Sequence, residues 1–88
     1  MRKQFTVTVY SDPGHAWAKV RKAVLTNLGI ADKVSSYSYQ RGDYAFLEED
    51  CDLSLLMQAL REHGTDLHFI EKHTDKQSRI RSYEHYRV

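Results

Sequence analysis

Hydrophobic and polar positions alternate at period two from Gln4 to Tyr10, with Phe5, Val7 and Val9 on one face and Thr6, Thr8 and Tyr10 on the other. That alternation predicts a half-buried strand. Asp12-Pro13-Gly14-His15 follows, and Pro then Gly at the two central positions predicts a type II turn. Trp17, Val20, Val24 and Leu28 next fall at helical spacing, with Gly29 as a stop. They predict a helix ending at Leu28, which starts either near Trp17 or only near Arg21 after a short extended piece. Ser35 to Gln40 reads as a strand that sets Tyr37 and Tyr39 on one face, and Arg41-Gly42-Asp43 closes a hairpin onto Tyr44 to Glu48. Asp50 and Asp52 are both suited to cap a helix whose apolar stripe is Leu53, Leu56, Met57 and Leu60. Gly64 ends that helix, and Leu67 to Lys72 reads as a last strand.

The resulting order is strand, helix, strand, strand, helix, strand. It predicts an α+β fold, an antiparallel sheet with two helices in the split βαβ or ferredoxin-like order, one face of the sheet being left to solvent. The alternative is a three-stranded α+β arrangement with Ala16 to Val20 as an extra strand. At 88 residues the chain makes a single domain, with residues 74–88 a basic C-terminal segment.

Composition narrows the function classes. Apolar residues are 41%, enough for one core, and charged residues are 28% with a net charge of +1. A generic polyanion binder would be more basic. Cys51 is the only cysteine, so no intrachain disulfide forms and a reducing compartment fits. No apolar run approaches the roughly 20 residues that span a bilayer, and the first residues lack the apolar core of a signal peptide. These features predict a soluble, cytoplasmic protein without a membrane partner.

Candidate chemistry is sparse. Glu48, Glu49, Asp50 and Asp52 could hold a hard cation, but helix capping accounts for two of them and EF-hand spacing is missing. The histidines are scattered, and the only pairing worth weighing is Glu71 with His73 on one strand face. With no nucleophile, phosphate loop or metal-ligand motif in pattern, neither a catalytic residue nor a metal nor a cofactor is assigned. Arg41-Gly42-Asp43 reads as a turn and not as an adhesion ligand. The basic segment offers Arg79 and Arg81 for forked contacts to carboxylate or phosphate, with Ile80 and Tyr83 as anchors. Together with Tyr37, Tyr39 and His73, the residues Arg79, Arg81 and Tyr83 form the expected partner-binding surface.

Four stretches carry a resemblance: Asp12-Pro13-Gly14-His15-Ala16-Trp17, Ser36-Tyr37-Ser38-Tyr39-Gln40-Arg41-Gly42, Leu47-Glu48-Glu49-Asp50-Cys51-Asp52 and His73-Thr74-Asp75-Lys76-Gln77-Ser78-Arg79-Ile80-Arg81. Through them the chain resembles small proteins encoded by bacteriophages and bacterial mobile elements, a group to which no activity attaches. It departs from that group at Ala16, where a second Gly is expected, and near Arg21, where a Pro is expected. The resemblance implies an accessory protein. With the balanced charge and the many tyrosines, the expectation is a small non-catalytic protein that binds host protein machinery. The alternative is a nucleic-acid binder using the basic segment and exposed tyrosines.

Overall fold

Alternation in the first strand is what the sheet grows from. The computed structural model describes residues 3–88, in which β1 (Lys3–Ser11) buries Val7 and half-buries Phe5 and Val9 on the face that meets the helices. The turn at residues 12–15 sends the chain straight back as β2 (Ala16–Arg21), antiparallel to β1 with Tyr10 opposite Trp17. The order continues with α1 (Lys22–Asn27), β3 (Tyr39–Arg41), β4 (Tyr44–Glu48), α2 (Leu53–Glu62), β5 (Thr65–His73) and β6 (Glu84–His85). Short 3₁₀ turns lie at Ala31–Lys33 and Arg79–Ser82. The fold is α+β: a six-stranded mixed sheet, ordered β5-β1-β2-β4-β3-β6, with two helices.

This departs from the ferredoxin-like order. The extra strand over Ala16–Arg21 exists, but in a sheet of six strands and not three, and the first helix shrinks to six residues, Lys22–Asn27. Its start matches the later of the two positions the pattern allowed. The sheet is also not purely antiparallel, since β5 pairs with β1 in parallel. Direction explains it. β4 is antiparallel to β2 and β2 to β1, so β4 and β1 run the same way. A helical crossover from β4 through α2 then delivers β5 along that same direction. The strand expected at Ser35–Gln40 is reduced to Tyr39–Arg41, and Tyr37 lies in the turn before it.

Val7, Ala18, Val20, Ala45 and Leu47 from the sheet meet Leu25 of α1 and Leu56, Ala59 and Leu60 of α2 in the main core. The α2 stripe is the one the sequence predicts, with Leu56 fully buried. Gly42 turns the β3–β4 hairpin with φ +57°, a conformation that other residues rarely adopt.

The opposite sheet face is not open. Trp17 and Phe46 lie on it, and the segment after β5 folds back over them with Ile80, forming a second buried cluster flanked by Tyr10, Tyr39, Tyr44 and Tyr83. Tyr86 then enters the main core, its hydroxyl donating to the Ala31 carbonyl at 2.6 Å. The basic segment is thus a strap across the sheet. No helix among the described residues is long and apolar enough to cross a membrane.

Candidate functional site

Asp12 clasps the strap. Its side chain is 1% exposed and accepts from five donors: the Gly14 and His15 amides, the Ser78 amide, and Arg81 through Nε at 2.7 Å and Nη2 at 2.9 Å. The forked Arg81 bonds, with the three amides adding to them against the effect of burial, hold the Asp12 carboxyl well below the usual carboxylate range. The turn is therefore not the type II form. Gly14 has no positive φ, and its amide goes to Asp12 instead. A Cβ at Gly14 would stand 2.9 Å from Arg81 Nη2, so a side chain there would push the guanidinium out of its fork on Asp12.

Beside the clasp lies a pocket of about 290 Å³. The end of the β1–β2 turn supplies His15, β2 supplies Trp17, β4 supplies Glu48, and the loop into α2 supplies Asp50 and Cys51. Tyr37, Tyr39 and Arg81 complete it. Pairing of Trp17 with Glu48, and the Glu49 amide donating to the Ala16 carbonyl, bring these stretches together. Glu48 is buried. Its Oε2 accepts from the Asp50 and Cys51 amides, while its Oε1 has no hydrogen-bond partner and lies 3.4 Å from His15 Nδ1. Trp17 Nε1 is also buried without a partner, with the Arg81 guanidinium 5.3 Å from its ring centre. The neighbouring Glu48 carboxylate, and then the loss of solvent around the group, push the Cys51 thiol above its ordinary range, with the charges of Asp52 and Asp50 adding to it. That makes it a poor nucleophile at neutral pH.

Asp52 does not cap α2 with its side chain. The buried carboxylate turns back to the loop before β3, accepting from the Ser35 amide, the Ser35 hydroxyl and the Ser38 hydroxyl. Ser38 Oγ in turn accepts from the Glu48 amide at 2.9 Å. The acidic run predicted as helix-capping surface is thus partly an internal scaffold for the pocket.

The six residues expected to form one surface separate. Tyr37, 70% exposed, shares the pocket with Tyr39 and Arg81. Tyr39 is half-buried, stacked on His85 with ring centres 4.9 Å apart. Arg79 and Tyr83 line a different groove, of about 640 Å³, with Tyr10, Lys19, Phe46 and Lys76. His73 sits at the end of β5, where its Nδ1 is 2.9 Å from Ser11 Oγ and its Nε2 3.2 Å from Asp75. Arg79 and Arg81 do not project together, because a 3₁₀ turn replaces the extended chain that would align them.

Ser11, His73 and Asp75 stand in a row that sequence spacing could not display, since parallel pairing sets Ser11 beside His73. Asp75 is 99% exposed, so solvent screens it and its hold on the imidazole is weak. Ser11 Oγ is shared with Glu71 at 3.4 Å. The row carries no catalytic assignment.

β5 forms one edge of the sheet and is nine residues long. The Lys3 amide donates to the Gly64 carbonyl and the Thr74 amide to the Ser11 carbonyl. In a parallel ladder these two bonds fix the phase: even-numbered β5 residues bond to β1. The backbone groups of Leu67, Phe69 and Glu71 therefore point outward, and the Phe69 and Ile70 side chains are exposed beside them.

No family model, curated protein or solved structure matches this chain.

Proposed function

We propose that this chain is a small non-catalytic binding module whose partner is another protein, taken up as an added strand along β5. One observation carries the reading, the contrast between the two sheet edges. Proteins blunt exposed edges with very short strands, charged side chains, proline or covering loops. β6, at one edge, has two residues, whereas β5 at the other has nine, no proline, and exposed Phe69 and Ile70 at its middle, with the charged Asp66, Glu71 and Lys72 nearer its ends. Strand addition draws affinity from such outward backbone groups and specificity from alternate side chains. The resemblance to phage and mobile-element proteins makes a bacterial host protein the partner to seek.

A second reading has its own observation. The groove holding Lys19, Lys76 and Arg79 beside Tyr10 and Tyr83 has no acidic residue in its lining. It suits a phosphate-bearing ligand with a planar base, as in a single-stranded nucleic acid.

Capture from a nuclease-treated bacterial lysate separates the readings. Phe69→Pro removes one outward N–H and leaves the bonds to β1 in place. A host protein that native chain retains and Phe69→Pro releases, with circular dichroism unchanged, supports strand addition. Retention indifferent to Phe69→Pro refutes it. Nucleic acid bound before nuclease and lost in Lys76→Ala/Arg79→Ala supports the second reading. A homodimer that Phe69→Pro dissolves would assign the edge to a second copy, since antiparallel pairing centred on Phe69 sets Asp66 opposite Lys72.

A further inference from the structure

His15, Glu48 and Asp50 each offer one ligand atom, and the three atoms lie within 4.8 Å of one another. No sequence motif displays them together, because pairing of β2 with β4 is what brings the turn to the loop before α2. We propose that these three side chains bind a divalent transition-metal ion, zinc being the best fit.

Three observations support it. The first is spacing. Two ligands at about 2.1 Å from a tetrahedral ion stand about 3.4 Å apart. His15 Nδ1 and Glu48 Oε1 are 3.4 Å apart, without hydrogen-bond geometry between them. Asp50 is exposed and offers a carboxylate oxygen within 4.8 Å of both, which makes three ligands.

The second is the orphaned oxygen. The Glu48 side chain is 8% exposed, and its two oxygens are treated differently. Oε2 is fixed by two backbone amides, which orients the carboxylate. Oε1 is aimed at His15 and meets no donor. A buried acceptor left unmet costs stability, and a cation at this point would meet it. Amides that orient a ligating carboxylate are the usual supporting shell of a metal centre.

The third is ligand chemistry. One imidazole nitrogen with two carboxylates suits zinc and its neighbours in the first transition row. Calcium takes six to eight oxygens, and magnesium requires octahedral oxygen ligands. The two carboxylates carry a charge of −2, which a divalent ion cancels. Arg81, the cation of this pocket, is engaged by Asp12. The fourth position is open to water, or to Cys51 after a change of rotamer.

The site is separate from the β5 edge, and its test is independent of that reading. Tag-free protein stripped with EDTA and freed of chelator is titrated with zinc chloride in a calorimeter. One ion per chain is expected, and His15→Ala and Glu48→Gln are each expected to weaken binding by about 100-fold or more. Glu49→Gln, outside the cluster, is expected to leave it unchanged. Cobalt(II) should give the intense visible bands of tetrahedral coordination. A thiolate charge-transfer band lost in Cys51→Ser would identify the fourth ligand, and its absence would assign water. Glu48 is buried and its variant could lose the fold. His15 is half-exposed, so His15→Ala with native circular dichroism decides in that event. Absence of zinc binding, zinc binding that His15→Ala leaves intact, or preference for calcium over zinc would each overturn the proposal.

Discussion

Replacing Asp52 by alanine tests whether this residue caps a helix or holds a scaffold. A helix cap contributes about 0.5–2 kcal/mol, and serine replaces aspartate there with little loss. The structure gives Asp52 a different task. Its carboxylate receives the Ser35 amide at 3.0 Å, the Ser35 hydroxyl at 2.7 Å and the fully buried Ser38 hydroxyl. A hydrogen bond to a charged group nets about 1.5–3 kcal/mol, and a buried donor left unmet costs about 1–3 kcal/mol. The bonds share one carboxylate and are not additive, and the half-buried Ser35 recovers part of its loss to water. Asp52→Ala should therefore destabilise by about 3–5 kcal/mol, a large fraction of the stability of a small domain. Asp52→Ser should be nearly as damaging, because its shorter side chain suits a cap but not this span. Ser38→Ala should cost about 1–3 kcal/mol by stranding the Glu48 amide, and the double variant should cost less than the sum. Urea unfolding followed by circular dichroism, extrapolated linearly to water, gives each value. A native-like Asp52→Ser, with Asp52→Ala costing only about 1 kcal/mol, would show that capping is the whole role and refute the scaffold.

The Asp12–Arg81 clasp makes a pH prediction. Asp12 titrates below its unfolded value of about 4, so its contribution is complete above that pH and declines as pH falls towards the lower folded value. Asp12→Asn should flatten the fall in urea midpoint below about pH 4, and an unaltered acid slope would separate the clasp from acid stability. Ile80→Ala should destabilise by about 2 kcal/mol and shift Trp17 emission to the red, since Ile80 covers that ring in the second cluster. Unchanged fluorescence would mean that the strap does not seal the face. Leu56→Ala, at a fully buried position on α2, should cost about 2–5 kcal/mol, and an unchanged midpoint would place the stripe outside the core.

Elements governed by local periodicity were legible without coordinates. β1 follows its alternation, α2 its three-and-four spacing, and the β3–β4 hairpin its Gly42 turn. Ile80 and Tyr83, the apolar points in a polar segment, also pointed to a strap. The stretch from Ala16 to Val20 was ambiguous for a physical reason. As a strand between β1 and β4 it is packed on both faces, so Trp17, Ala18 and Val20 are all buried and alternation disappears. An apolar run of that length fits helix and strand alike. Only tertiary pairing decided it, and with it the parallel placement of β5.

The sequence by itself determined the α+β class, the second helix, the hairpin and the candidate partner residues as residue types. Tertiary structure decided which of them meet. Asp12 meets Arg81 across 69 positions, and His15 meets Glu48 only because β2 lies on β4. A side chain's chemistry is written at its own position, but its distance to another depends on how the strands pair. A hairpin turn sets the pairing of neighbouring strands, but the pairing of strands distant in sequence depends on the free energy of the whole sheet.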